Sequence, residues 1–431
     1  MSAACPHADA HVGQRVCRHL MSGEAESYSQ RFNGEAFDYD LVCAACAERG
    51  PASIADLVTV CAECFEAAAD RASWTRGPGA VLDRPQVTER STRLAFSHQM
   101  VRLSVALGAS LLDLQPRPGR VGSRWLAVTS AGRLIELDLS ARGWAVVADL
   151  SGALDLERDI ELQVSPDGTM AAVVEAEGRS GVVVDVSSGE ITMLFERGTD
   201  LVEGSRFPLA FAMSGDELVL VHGTDWNRID AFDPRTGTQL VRRPAGDAAR
   251  SLDYVCSGLS ASPDGEWLVD NGFTAEGAGI PAVFRLPSWL SGNPFEAEDG
   301  ESLRYLCQRW DFWDGPVCWI DGGTLAVWGY GPDRQNLIPA VILFDAATGD
   351  AMRWFPGPRG QLVFDELLFS LGDGDGVSVW DVATGERLLH DAGFHPLRYH
   401  PGTRQFLTTN PDGELFVLSR LVGDPGEPDR G

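Results

Sequence analysis

Four stretches of the chain share one hydrophobic and polar pattern: VVVDVSSGEI, IDAFDPRTGTQL, LFDAATGDAM and VWDVATGERL. In each, apolar and often β-branched residues flank an Asp that precedes a Gly by four positions: Asp185 and Gly189, Asp233 and Gly237, Asp345 and Gly349, Asp381 and Gly385. This predicts hairpins in which the carboxylate accepts turn amides and the Gly adopts the left-handed conformation that reverses the chain. A second phrase recurs some twenty residues earlier, as VSPDGTMAAVV at 164–174 and ASPDGEWLVD at 261–270, with weaker forms AMSGDELVLV, WIDGGTLAVW and YHPGTRQFLT. Pro fixes the first dihedral of that turn and Gly the last. Strand, SPDG turn, strand, hairpin, strand, Asp-Gly turn and strand make one four-stranded antiparallel unit.

First strands are expected near Leu111, Ile160, Leu209, Gly258, Val317, Leu362 and Leu397, which gives seven units. The last has only three strands of its own. The alternating segment STRLAFSHQMVRLSVAL, residues 91–107, stands ahead of the first unit and is the natural donor of the missing strand. Sheets repeated around an axis dispose of their edges as a β-propeller does. With VSVWDVATGERLL at 377–389 and closure by an N-terminal strand, the region resembles WD-repeat and related SPDG-containing bacterial propellers. The expected fold is mainly β, a seven-bladed β-propeller over 90–421 preceded by a small α+β zinc-binding domain. That domain would occupy residues 1–75, with a linker at 76–89 and a disordered acidic tail at 422–431.

Six of the nine cysteines lie in the first 64 residues. CAACAERGPASIADLVTVCAEC places two C-x2-C pairs, Cys43/Cys46 and Cys61/Cys64, where each knuckle can turn two thiolates toward one ion and two knuckles complete a tetrahedron. FEAAADRAS follows directly and is rich in helix formers, so Cys61 and Cys64 are expected in a first helical turn, where thiolate is favoured. A redox C-x-x-C is the rival reading. Upstream, Cys5/His7 and Cys17/His19 form two C-x-H pairs, making eight potential ligands for one or two structural zinc ions. A knuckle followed by a helix start resembles the treble-clef zinc fingers. CRHL followed by CAAC and CAEC, over about residues 15–66, is similar to the ubiquitin-specific-protease type of zinc finger.

A formal charge of −27 disfavours nucleic acid and anionic membranes as partners and leaves basic proteins or neutral ligands. All 35 cationic side chains are Arg, which excludes a Schiff-base lysine, a phosphate-loop lysine and a Ser-Lys dyad. No apolar run approaches a membrane span, and MSAACPHADAHVGQRVCRHL lacks the pattern of a secretory signal, so a cytoplasmic location is the default expectation.

Enzymatic propellers need His and carboxylates converging from several first strands at the channel mouth. Here His98, His222, His390, His395 and His400 do not recur at one position of the repeat. Trp310, Trp313, Trp319 and Trp328 cluster within one run and read as wedges between sheets, with an aromatic ligand platform as the other account. The insertion SGNPFEAEDGESLRY at 291–305 concentrates carboxylates and reads as a solvated face or a docking site for a basic protein. The composite expectation is an intracellular protein-interaction scaffold with no catalytic residues. The alternative is a propeller hydrolase or oxidoreductase with its site at the channel mouth.

Overall fold

The computed structural model describes residues 15–32, 39–48, 57–74, 86–199, 202, 204–243, 254–274, 277–307, 309–310, 315–330, 338–372, 374–410 and 413–423. The chain is mainly β, and its sheets are small and mostly antiparallel. An N-terminal five-stranded sheet runs in the order β4-β1-β3-β2-β5, from β1 (Arg15–Cys17), β2 (Ser27–Phe32), β3 (Tyr39–Val42), β4 (Leu57–Thr59) and β5 (Ser73–Trp74). Helices α1 (Arg18–Met21), α2 (Ala44–Glu48) and α3 (Ala62–Asp70) accompany it. Val16, Leu20, Leu41, Val42, Phe65 and Ala68 form its core, which is separate from the cores that follow.

Seven four-stranded sheets come next, and their first strands begin at Leu111, Ile160, Leu209, Leu259, Val317, Gln361 and Arg398. Each start lies within one residue of the position expected from the repeat. The recurring turns explain this regularity. Asp185 Oδ1 accepts the amides of Ser187 and Ser188 at 2.8 and 2.9 Å, and Asp345 Oδ1 those of Ala347 and Thr348, both at 2.9 Å. Gly189 and Gly349 close these turns at φ +74° and +78°, in the left-handed region that a Cβ disfavours. In the SPDG turn, Ser262 donates its hydroxyl to Asp264 at 2.6 Å and accepts the Trp267 amide at 3.0 Å, so side chains do the work of a missing ladder bond.

Apolar clusters join the sheets face to face. One runs from Leu126 and Val128 of the first sheet to Leu162 and Val173 of the second, and equivalents link each sheet to the next. A further cluster joins the seventh sheet back to the first through Val101, Leu407, Phe416, Leu418, Leu114 and Trp125. The fourth strand of the seventh sheet is β6 (Ala95–Arg102), which pairs antiparallel with Leu415–Val422 from Arg102↔Leu415 to Ala95↔Val422. The expected donor segment 91–107 is therefore trimmed at both ends.

Three features depart from the repeat. The end of the expected linker is part of the fold: Thr88 accepts the Arg387 amide at 2.8 Å, and Arg90, the first residue of the expected β region, donates its amide to Arg387 at 2.9 Å and pairs with Asp381 at 2.7 Å. This stretch lies along the outer strand of the sixth sheet just before β6 reaches the seventh. An additional small sheet from Tyr254–Val255, Phe273–Thr274, Ala278–Gly279 and Arg309–Trp310 flanks the fourth sheet. Helix α4 (Leu286–Ser291) leads into the acidic insertion, which contains α5 (Glu296–Asp299), and two of its carboxylates are buried rather than solvated. Glu296 accepts the Ser302 amide and hydroxyl at 2.9 and 2.5 Å, and Glu298 pairs with Arg243. Val422, the expected start of the disordered tail, is still paired with Ala95, and residues 424–431 lie outside the described residues.

Candidate metal centre

The centre is built by two neighbouring strands that each run straight into a short helix. Strands β1 and β3 are parallel, with Val16 opposite Leu41, so their C-terminal ends emerge side by side. Cys17 ends β1 and stands at the N-cap of α1, which carries His19; Cys43 follows β3 directly, and α2 carries Cys46. The ligand atoms of Cys17, His19, Cys43 and Cys46 all lie within 4.8 Å of one another. His19 Nδ1 is 3.6 Å from Cys43 Sγ and 3.3 Å from Cys46 Sγ. Tetrahedral zinc with ordinary bond lengths separates a thiolate from an imidazole nitrogen by about 3.6 Å. The donor set, three sulfurs and one nitrogen, is one that zinc accepts, and the two His19 separations lie close to that value.

Local forces hold the ligands in place. The Cys43 amide donates to Cys17 Sγ at 3.3 Å, and the Cys46 amide donates to the Cys43 carbonyl at 3.0 Å, which turns the knuckle inward. Cys17, Cys43 and Cys46 are buried, and Arg15 pins β1 to β3 through Asp40 at 2.8 Å. Burial, then the neighbouring Cys17 and Cys43, push the Cys46 thiol up to about 12, and burial raises Cys17. A divalent cation would reverse this penalty, because the same proximity that opposes several thiolates favours them around a positive ion.

This pairing differs from the tetrathiolate expected from the two C-x2-C knuckles. Cys61 is the N-cap of α3 and Cys64 lies in its first turn, as the helix signal implied, but neither belongs to the four-ligand group. Cys5 and His7 lie outside the described residues.

The remaining histidines serve packing. His222 stacks on Phe232 with ring centroids 4.5 Å apart, bonds the Gly223 carbonyl at 2.9 Å, and is pushed down to about 4 by burial. His400 meets Trp125 edge to face at 5.2 Å. His98 and His390 contact Ser419 and Ser378 at 2.8 and 2.9 Å on outer strands. Among the described histidines, His395 lines the opening where the first strands begin, and His390 lines a neighbouring cavity. Trp319 and Trp328 act as wedges, with indole N–H bonds to Ser260 and Pro358 at 3.3 and 2.7 Å, while Trp313 lies outside the described residues. Burial raises the thiols of Cys307 and Cys318 to about 11 and about 12, which leaves them poor nucleophiles. Among the described residues no helix is long and apolar enough to cross a membrane. Compared with known proteins, the chain matches no family model and no curated protein sequence.

Proposed function

We propose that the N-terminal module is a structural zinc finger and that the seven sheets form a seven-bladed β-propeller serving as a protein-interaction scaffold. Zinc sits on Cys17, His19, Cys43 and Cys46. A second ion would need Cys61 and Cys64. The propeller reading is supported by the cyclic order of the apolar clusters and by β6 completing the last sheet. The observation that carries the scaffold over the enzyme is the dispersal of the histidines: four of the five in the sheets are spent on rings, carbonyls or serine hydroxyls away from the opening. The strong negative charge favours a partner with a basic face.

Metal analysis of the full chain is expected to find at least one zinc ion. Serine at both Cys43 and Cys46 removes it and loosens the module, since binding and folding free energy are shared in so small a core. Full zinc retention in that variant would refute the centre. For the scaffold, proteins captured by the intact chain are purified and mixed with it at low and high salt. A stoichiometric complex that weakens with salt supports the reading, whereas the absence of any complex with a purified candidate refutes it.

A further inference from the structure

The segments that lead into the first strands of the second to seventh sheets meet around two adjoining cavities of about 630 and about 310 Å³. The two share Arg206, Gly315, Pro316 and Gln361, so they form one polar basin at the end where those strands begin. Five ionisable side chains border it: Arg206, Arg398, His395, Glu161 and, beneath Arg398, Asp113.

Two of these are already committed. Asp113 accepts the amides of Leu114 and Leu162, each at 2.8 Å, and binds Arg398 Nη2 at 2.6 Å. Arg398 also donates to the Leu397 carbonyl at 2.8 Å. Their charges cancel, and the pair ties the seventh, first and second sheets together. Glu161 and Arg206 are different. Glu161 takes one bond from Gln163 at 3.2 Å, whose amide also donates to the Leu209 carbonyl at 2.9 Å. Arg206 is exposed and, among the described residues, no carboxylate pairs with its guanidinium. The basin thus presents the Arg206 guanidinium and the Glu161 carboxyl on one space without a direct ion pair between them; burial raises Glu161 above the usual carboxylate range, while Gln163, Arg206 and Arg398 favour its ionised form.

We infer that this basin binds a small carboxylic acid bearing a hydroxyl or amino group, with its carboxylate on Arg206 and its donor group on Glu161. Arg offers a planar fork that matches a carboxylate, and Glu161 in its ionised form, which the neighbouring arginines favour, accepts from ligands that can donate. Gln361 can bond either end. The basin is roomy enough for acids of four to six carbons.

The full-length chain is titrated at fixed ionic strength, by calorimetry and ligand-observed NMR, with two matched pairs: L-malate against succinate and L-glutamate against glutarate. Inorganic phosphate serves as the anion control. At least one donor-bearing acid is expected to saturate a single site at least tenfold more tightly than its matched partner and than phosphate. Arg206→Gln should weaken that binding at least tenfold, and Glu161→Gln should erase the preference within the pair while leaving the plain acid unchanged. Arg158→Gln, an exposed arginine elsewhere, should change nothing, and unchanged thermal unfolding verifies that each variant is folded. Absence of binding by either donor-bearing acid, phosphate binding as tightly, or equal binding by Arg206→Gln would overturn the inference.

Discussion

If β6 closes a cycle of sheets, damage to it should be felt on both sides of the seam. Val101 is the test position. It is 2% exposed, pairs with Phe416, and packs in the cluster that also holds Leu114 and Trp125 of the first sheet. Val101→Ala deletes two buried carbons, worth about 1.6 kcal/mol at about 0.8 kcal/mol per carbon. A residual cavity of roughly 30 Å³ adds about 0.7 kcal/mol, so the expected loss is about 2 kcal/mol. Met100, the next residue, points the other way and is 73% exposed, so Met100→Ala should cost less than about 0.5 kcal/mol. Denaturant unfolding of the two variants measures the difference. Hydrogen exchange then locates it: Val101→Ala should reduce protection in residues 405–422 and in residues 111–138 alike. Equal costs at the two positions, or loss of protection confined to residues 95–102, would refute the closure argument.

Other consequences can be checked separately. Deleting residues 1–85 should leave the seven sheets folded and soluble, whereas deletion through residue 108 should aggregate, because it exposes the edge of Leu415–Val422; sedimentation and thermal unfolding decide. Gly265→Ala should destabilise by about 3 kcal/mol in denaturant unfolding, since φ is +72° and a Cβ would lie 1.6 Å from the Met213 carbonyl oxygen. Asp270 is buried beside Cys256 and the Ser257 amide, and burial raises its carboxyl to about 7. The folded chain therefore keeps a proton that the unfolded chain releases near pH 4, so this contribution is complete below that pH and is lost as pH rises toward about 7. Comparing unfolding free energies across that window, Asp270→Asn should flatten the decline relative to the wild type.

Much of the sheet region was legible because its signals are local. A Ser-Pro-Asp-Gly or Asp-x-x-Thr-Gly turn carries its own acceptor and its own left-handed glycine, so the turn is specified within a few residues and the strands follow from it. Where partners are remote, composition misled. Glu298 looks like part of a solvated acidic loop, yet its partner Arg243 lies 55 positions away and both are largely buried. The stretch through Thr88 and Glu89 has no apolar alternation and reads as linker. Its order comes from backbone bonds to Arg387, nearly three hundred residues later.

The metal ligands illustrate the same limit more sharply. Spacing identifies Cys43/Cys46 and Cys61/Cys64 as equivalent knuckles, and by spacing alone they pair with each other. Strand adjacency decides otherwise. β1 runs parallel to β3, so Cys17 and His19 come off the sheet on the same side as Cys43 and Cys46. β4, which leads to Cys61, pairs antiparallel with β1, with Cys17 opposite Leu57 and Arg15 opposite Thr59. Its C-terminal end therefore emerges at the opposite end of the sheet from Cys17, and Cys61 and Cys64 stand outside the four-ligand group. A parallel neighbour brings two strand-to-helix corners together, and an antiparallel one separates them. That direction is a property of the assembled sheet and is encoded in no single knuckle.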